Sequence, residues 1–157
     1  MDNRYGLCER MNRIMKDTGI KVAVIDGQGG GIGRSIVEKL RGSSRDLYIL
    51  ALGTNPLATS LMLRAGATEG ASGENAVVFN APRMDVIVGA IGILAGNSML
   101  GELTPAMAAA VAASPAEKIL VPLQRCGLCV AGVEPKPLEQ YIDDAVRSVC
   151  RLTGTGR

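Results

Sequence analysis

The chain has 157 residues, enough for one domain with its own core and too few for a nucleotide domain plus a separate catalytic domain. Apolar residues make up 47% and charged residues 20%, which excludes a disordered tail; with aromatics at 3% and no Trp, the core must be aliphatic. Seventeen Lys and Arg against 15 Asp and Glu leave a net charge of +2 with the signs mixed, so no basic block tracks a phosphate backbone.

Residues 1–19 read as a leader. Leu7, Met11, Ile14 and Met15 share one helical face, with Arg10, Arg13, Lys16 and Asp17 elsewhere. It is either a short docking or pairing helix or partly disordered, unless the natural start lies at Met11 or Met15. The rest of the chain, 20–157, reads as a single domain. "KVAVID" (21–26) is a buried strand, and the helix after it turns Ile32, Ile36, Val37 and Leu40 inward until "GSS" breaks it. "DLYILAL" (46–52) reads as strand two. In "GTNPLATSLMLRAG", Asn55 is the cap and Pro56 the first helical residue; Leu57, Leu61 and Met62 face inward and Gly66 is the stop. A minimal third strand near 67–70 and a short helix around 74–80 follow. "MDVIVGA" (84–90) is a strand, Thr104 caps a helix from Pro105 to about Ala113, and "EKILVPL" (117–123) is the next strand. "RCGLCVAGVEP" reads as a tight turn and a short edge strand. From Pro137, residues Leu138, Tyr141, Ile142, Ala145 and Val149 mark the inward side of a terminal helix. Nearly continuous apolar strands between helices predict an α/β fold, a Rossmann-like three-layer sandwich with a mostly parallel five- or six-stranded sheet.

Five of the seven residues 27–33 are glycine, placed after a strand and before a helix. Without Cβ atoms, such a turn lets a phosphate approach the amides at a helix N-terminus. The simple G-x-G-x-x-G register fails at Arg34, and the better one is Gly27-x-x-x-Gly31-Ile32-Gly33. That spacing resembles the glycine signature of the short-chain dehydrogenase/reductases, which bind NAD or NADP. The resemblance implies that Gly27, Gly31 and Gly33 shape the turn, that Ile32 seats the helix, and that Arg34 reaches a cofactor phosphate. It does not extend to the chemistry. The catalytic Tyr-x-x-x-Lys of that family is absent, since Tyr48 is followed at the fourth place by Leu52 and Tyr141 by Ala145. Strand two also ends in "ALGTN", without the Asp or Glu that grips the ribose hydroxyls of NAD, which favours NADP or another nucleotide. Asp26 either repels a pyrophosphate or caps the turn.

A strand order of 3-2-1-4-5 brings the loop from Gly89 to Glu102 over the same crevice as Gly27–Gly33. Asn97 and Ser98 are its polar donors and Glu102 the nearest base; alternatively Asn97 turns the backbone and Ser98 caps a helical turn. Thr54 and Asn55 stand on the adenosine side. Ser72–Asn75 either closes over the opening or supplies Ser72 as a helix cap. The cofactor-binding set is thus Gly27, Gln28, Gly29, Gly30, Gly31, Ile32, Gly33, Thr54, Asn55, Gly89, Asn97 and Ser98, with NAD or NADP as the cofactor. Arg125, after strand five, is a further cation for an anionic ligand. Cys126 and Cys129 form C-x-x-C, but with no His and only Cys8 and Cys150 besides, a zinc set in one chain is not assembled, and buried or incidental thiols are the simpler reading. Without His, acid–base work falls to carboxylates, and no triad is evident.

Over residues 20–150 the chain resembles a family of short uncharacterised bacterial proteins, a domain of unknown function. "VAVIDGQGGGIG", "ALGTNPLATSLMLRAGATEGASGENAVV" and "NSMLGELTPAMA" carry the resemblance in that order. It implies a Rossmann-like fold and brings no activity with it. Three functions remain: a nucleotide- or dinucleotide-binding protein with regulatory use, a small enzyme acting on a phosphorylated or carboxylated metabolite, or an interaction protein that keeps the frame without its ligand. Partners expected are a nucleotide or anionic metabolite and a second copy of the chain, with no nucleic acid and no membrane. The scattered Tyr5, Tyr48, Phe79 and Tyr141 make no stacking platform, and no apolar run is long enough to span a bilayer. The location expected is cytoplasmic.

Overall fold

A computed structural model describes residues 19–125 and 127–155. The leader therefore lies outside the described residues except for Gly19. Aliphatic runs form five strands, β1 (Lys21–Asp26), β2 (Tyr48–Gly53), β3 (Glu69–Ser72), β4 (Val86–Ala90) and β5 (Glu117–Val121). They pair in parallel in the order β3-β2-β1-β4-β5. β1 is central and buried from Val22 to Asp26, which is why its sequence carries no polar alternation.

Side chains of β1 divide the core in two. Val22 and Val24 face α1 (Gly31–Ser43), α2 (Pro56–Arg64) and α5 (Leu138–Thr153) through Ile36, Leu40, Met62 and Val149. Ala23 and Ile25 face α3 (Glu74–Asn80) and α4 (Pro105–Ala113) through Val77, Met107 and Val111. The result is a three-layer sandwich with right-handed crossovers expected of parallel strands. From β1 the chain runs through α1 to β2 on one side; from β4 it runs through α4 to β5 on the other. That reversal opens a crevice above the C-terminal ends of β1 and β4.

Several sequence expectations shift. β2 begins at Tyr48 and β3 occupies Glu69–Ser72, each about two residues later than read. No sixth strand forms among the described residues of 125–136; Pro122, Pro135 and Pro137 lack amide donors, and Gly127 and Gly132 adopt positive φ. Leu57 is 57% exposed rather than inward, and Leu138 is also exposed, whereas Ala58, Thr59 and Met62 bury α2. Asn55 does cap α2, accepting from the Ala58 amide at 2.8 Å, and Thr104 caps α4, accepting from the Met107 amide at 3.2 Å. Ser72 caps nothing: Gly73 holds the cap position of α3, and the Ser72 hydroxyl pairs with Thr59 at 2.7 Å, away from the crevice. Among the described residues, no helix is long and apolar enough to cross a membrane.

Candidate functional site

The glycine turn is held from below by Asp26. Its Oδ1 accepts from the Gly27 amide at 2.8 Å and its Oδ2 from the Gly33 amide at 2.6 Å. Asp26 is buried, and burial pushes its carboxyl above the usual range. Hydrogen bonds from Gly33 and Gly27 oppose that shift, while the charge of Glu102 adds to it. Asp26 thus caps the turn, and it also borders the space above the glycines. Three glycines of the turn are required by geometry, and a Cβ on the first, Gly27, would run into the Thr54 hydroxyl. Gly30 has φ 71°, and a Cβ there would lie 2.8 Å from the Ala58 Cα of α2. A Cβ on Gly33 would lie 2.7 Å from both the Asp26 Cβ and the Met62 sulfur, so α1 sits against β1 only with glycine there.

The loop between β4 and α4 forms the opposite wall. Asn97, Met99 and Leu100 all have left-handed φ, at 66°, 56° and 57°. Non-glycine residues in that region carry strain of about 1–3 kcal/mol each. Two bonds anchor the loop: the Asn97 amide donates to the Leu103 carbonyl at 2.7 Å, and the Ser98 hydroxyl to the Gly92 carbonyl at 2.7 Å. The Ser98 hydroxyl is therefore a loop tie, and it caps no turn. The loop then crosses the glycine turn toward β2. Glu102 Oε2 accepts from the Gln28 amide at 2.5 Å and the Thr54 hydroxyl at 3.1 Å, and Oε1 from the Asn55 amide group at 3.1 Å.

Between these walls lies a cleft of about 900 Å³. Gly29, Gly31, Ile32, Asn97, Ser98 and Arg125 line it, together with apolar residues at its floor and far end. The Gly29 and Gly31 amides have no hydrogen-bond partner among the described residues. Both stand at the N-terminus of the 13-residue α1, where anions are favoured. The Arg125 guanidinium, exposed on the far side, makes no ion pair among the described residues.

Of the twelve residues singled out from the sequence, Gly27 to Ile32, Asn97 and Ser98 border this cleft. Gly33 lies beneath it. Gly89 lies within β4, where a Cβ would meet the Ile25 carbonyl at 2.7 Å; its neighbour Ala90 reaches the wall instead. Thr54 and Asn55 are engaged by Glu102, and Asn55 borders a second, shallower slot. Arg34 turns away and pairs with Glu38 at 2.9 Å on the exposed face of α1. Cys126 lies outside the described residues; Cys129 is exposed on irregular chain and Cys150 is buried in α5. No group of three or more His, Cys, Asp or Glu among the described residues is arranged to hold a metal ion. Sequence reasoning overlooked the tie from Glu102 to Gln28, Thr54 and Asn55, and the left-handed Met99 and Leu100. A Gly101 just after two apolar residues in a polar loop was the available signal.

The parallel order β3-β2-β1-β4-β5, its reversal between β1 and β4, and a glycine turn at that point define a Rossmann-like α/β protein. The chain belongs to the family described as Domain of unknown function (DUF3842), which matches residues 21–153, from the first residue of β1 to the last of α5. No curated protein and no solved structure matches it.

Proposed function

We propose that the protein binds a nucleotide through its phosphate, in the cleft above the glycine turn. The observation that carries this reading is the convergence on one open space of the Gly29 and Gly31 amides, which have no partner among the described residues, a helix N-terminus, and the Arg125 cation. An interaction protein that had lost its ligand would fill that space with bulky side chains. Met99 and Glu102 do cover Gly27, but a Cβ on Gly29 or Gly31 would meet nothing within 4 Å. A dinucleotide is the extended form of the same ligand, with its adenosine half toward β2.

Calorimetric titration with 5′-AMP, ATP, NAD and inorganic pyrophosphate tests the reading. Binding by the wild type is expected, together with a loss of about tenfold or more in Gly31→Val, whose side chain enters the cleft, and in Arg125→Ala. Binding by neither nucleotide nor pyrophosphate, or undiminished binding by Gly31→Val, overturns it. The strain at Asn97, Met99 and Leu100 favours a second reading, an enzyme acting on a phosphorylated or carboxylated metabolite held there, because strained backbone clusters at active sites. Turnover of a copurified metabolite that fails in Asn97→Ala separates that reading from binding alone.

A further inference from the structure

β2 ends at Gly53, is followed by Thr54 and Asn55, and carries no acid of its own, yet a carboxylate stands at its tip. Glu102 is delivered there by the loop after β4. Its bonds from Gln28, Thr54 and Asn55 fix the carboxylate in place. A carboxylate offers about four acceptor positions, so Oε1 keeps one unused beside its bond from Asn55. The side chain is half-buried and borders a slot of about 610 Å³ on the β2 side of the glycine turn.

The walls of that slot are unusual for a surface. Leu57 is 57% exposed and Leu100 is 98% exposed, with Met99 beside them. Leu100 is held out by left-handed backbone at both Met99 and itself, so strain and apolar exposure fall on the same residue. No packing inside the described chain compensates for that placement. A flat apolar ring lying against Leu57 and Leu100 would. Gln28, Met99 and Leu100 border both the slot and the main cleft, so the two lie side by side on the glycine turn.

Resting on the nucleotide reading above, the geometry points to Glu102 as the acceptor for ribose hydroxyls and the residue that sets ligand choice. The phosphate lies over Gly29 and Gly31, the ribose donates to Glu102, and the base lies against Leu57 and Leu100. A free 2′-hydroxyl is accepted. A 2′-phosphate brings negative charge against a fixed carboxylate and is rejected. The absence of an acid at the end of β2, which by itself favours NADP, is thereby reversed by a residue 48 positions away from Thr54.

The test is calorimetric titration of the full chain with 5′-AMP, 2′-deoxy-5′-AMP, adenosine 2′,5′-bisphosphate and inorganic pyrophosphate. For the wild type, 5′-AMP is expected to bind about tenfold or more tighter than either the deoxy or the 2′-phosphorylated analogue. In Glu102→Gln both margins should shrink to about threefold or less, while pyrophosphate binding is retained or strengthened by the loss of a negative charge beside the turn. The wild-type series alone decides the matter if that variant fails to fold. Equal binding of the three nucleotides by the wild type, or margins retained by Glu102→Gln, overturns the assignment and makes Glu102 a structural tie. Pyrophosphate binding without nucleotide binding leaves the phosphate cradle standing and removes the ribose site. If nothing binds, the nucleotide reading falls and this assignment with it.

Discussion

Asp26 ends β1 with both carboxylate oxygens turned back on the glycine amides, so the turn depends on one buried acid. Burial raises its folded pKa above the ordinary value of 3.8. A raised acid pKa means the folded state holds its proton longer. The stability it contributes is therefore present below the unfolded pKa and is lost as pH rises through the folded one. In urea unfolding, the lead of wild type over Asp26→Asn should be widest near about pH 4 and narrow toward about pH 7. A lead that widens with pH contradicts this. The glycines give a second contrast at the same scale. Gly33→Ala forces a Cβ into Asp26 and Met62 and should cost about 1–3 kcal/mol. Gly31→Ala meets open space at the first turn of α1 and should gain about 0.4–1 kcal/mol, measured by the same unfolding.

At the scale of elements, the caps were legible because their signals are local. Asn55-Pro56 and Thr104-Pro105 each join a side-chain acceptor to a residue preset for the first turn. The rotation of α2 was not legible. Hydrophobicity favours turning Leu57 and Leu61 inward, but the helix lies with Ala58 against Gly30, and small-residue contact sets the angle. Asn55 also does more than cap, since its amide group donates to the Gln28 carbonyl at 3.0 Å and to Glu102. Asp caps a helix as well as Asn does, yet Asn55→Asp should cost about 1–3 kcal/mol at neutral pH, because it loses both donations and sets a second carboxylate beside Glu102. A neutral Asn55→Asp in urea unfolding would show that the tie between the β2 tip and Glu102 contributes nothing to stability.

Across the whole molecule, α1 is joined to α5 by two kinds of contact of different strength. Ile36 is fully buried between β1 and the helices of its face, and Ile36→Ala should cost about 2–5 kcal/mol. Lys39 meets Asp143 at 2.5 Å and Glu139 at 3.3 Å on the surface. Exposed ion pairs are screened, so Lys39→Ala should cost far less than Ile36→Ala, and less still in high salt. Comparable losses from the two substitutions would mean that the helices are held by charge and not by the aliphatic core.

What the sequence determined by itself follows from short range. Apolar runs, their period and the flanking caps specify parallel strands with crossover helices, and the bond from Gly33 back to Asp26 spans only seven residues. The tertiary structure alone decided how the crevice is divided. The Glu102 carboxylate meets the Gln28 amide across 74 residues, and Arg125 faces the glycine turn only because β5 follows β4 in the sheet. No periodicity or spacing records such pairs. They exist because folding brings the ends of β1, β2, β4 and β5 to one edge, where a charge and an amide far apart in the chain become neighbours.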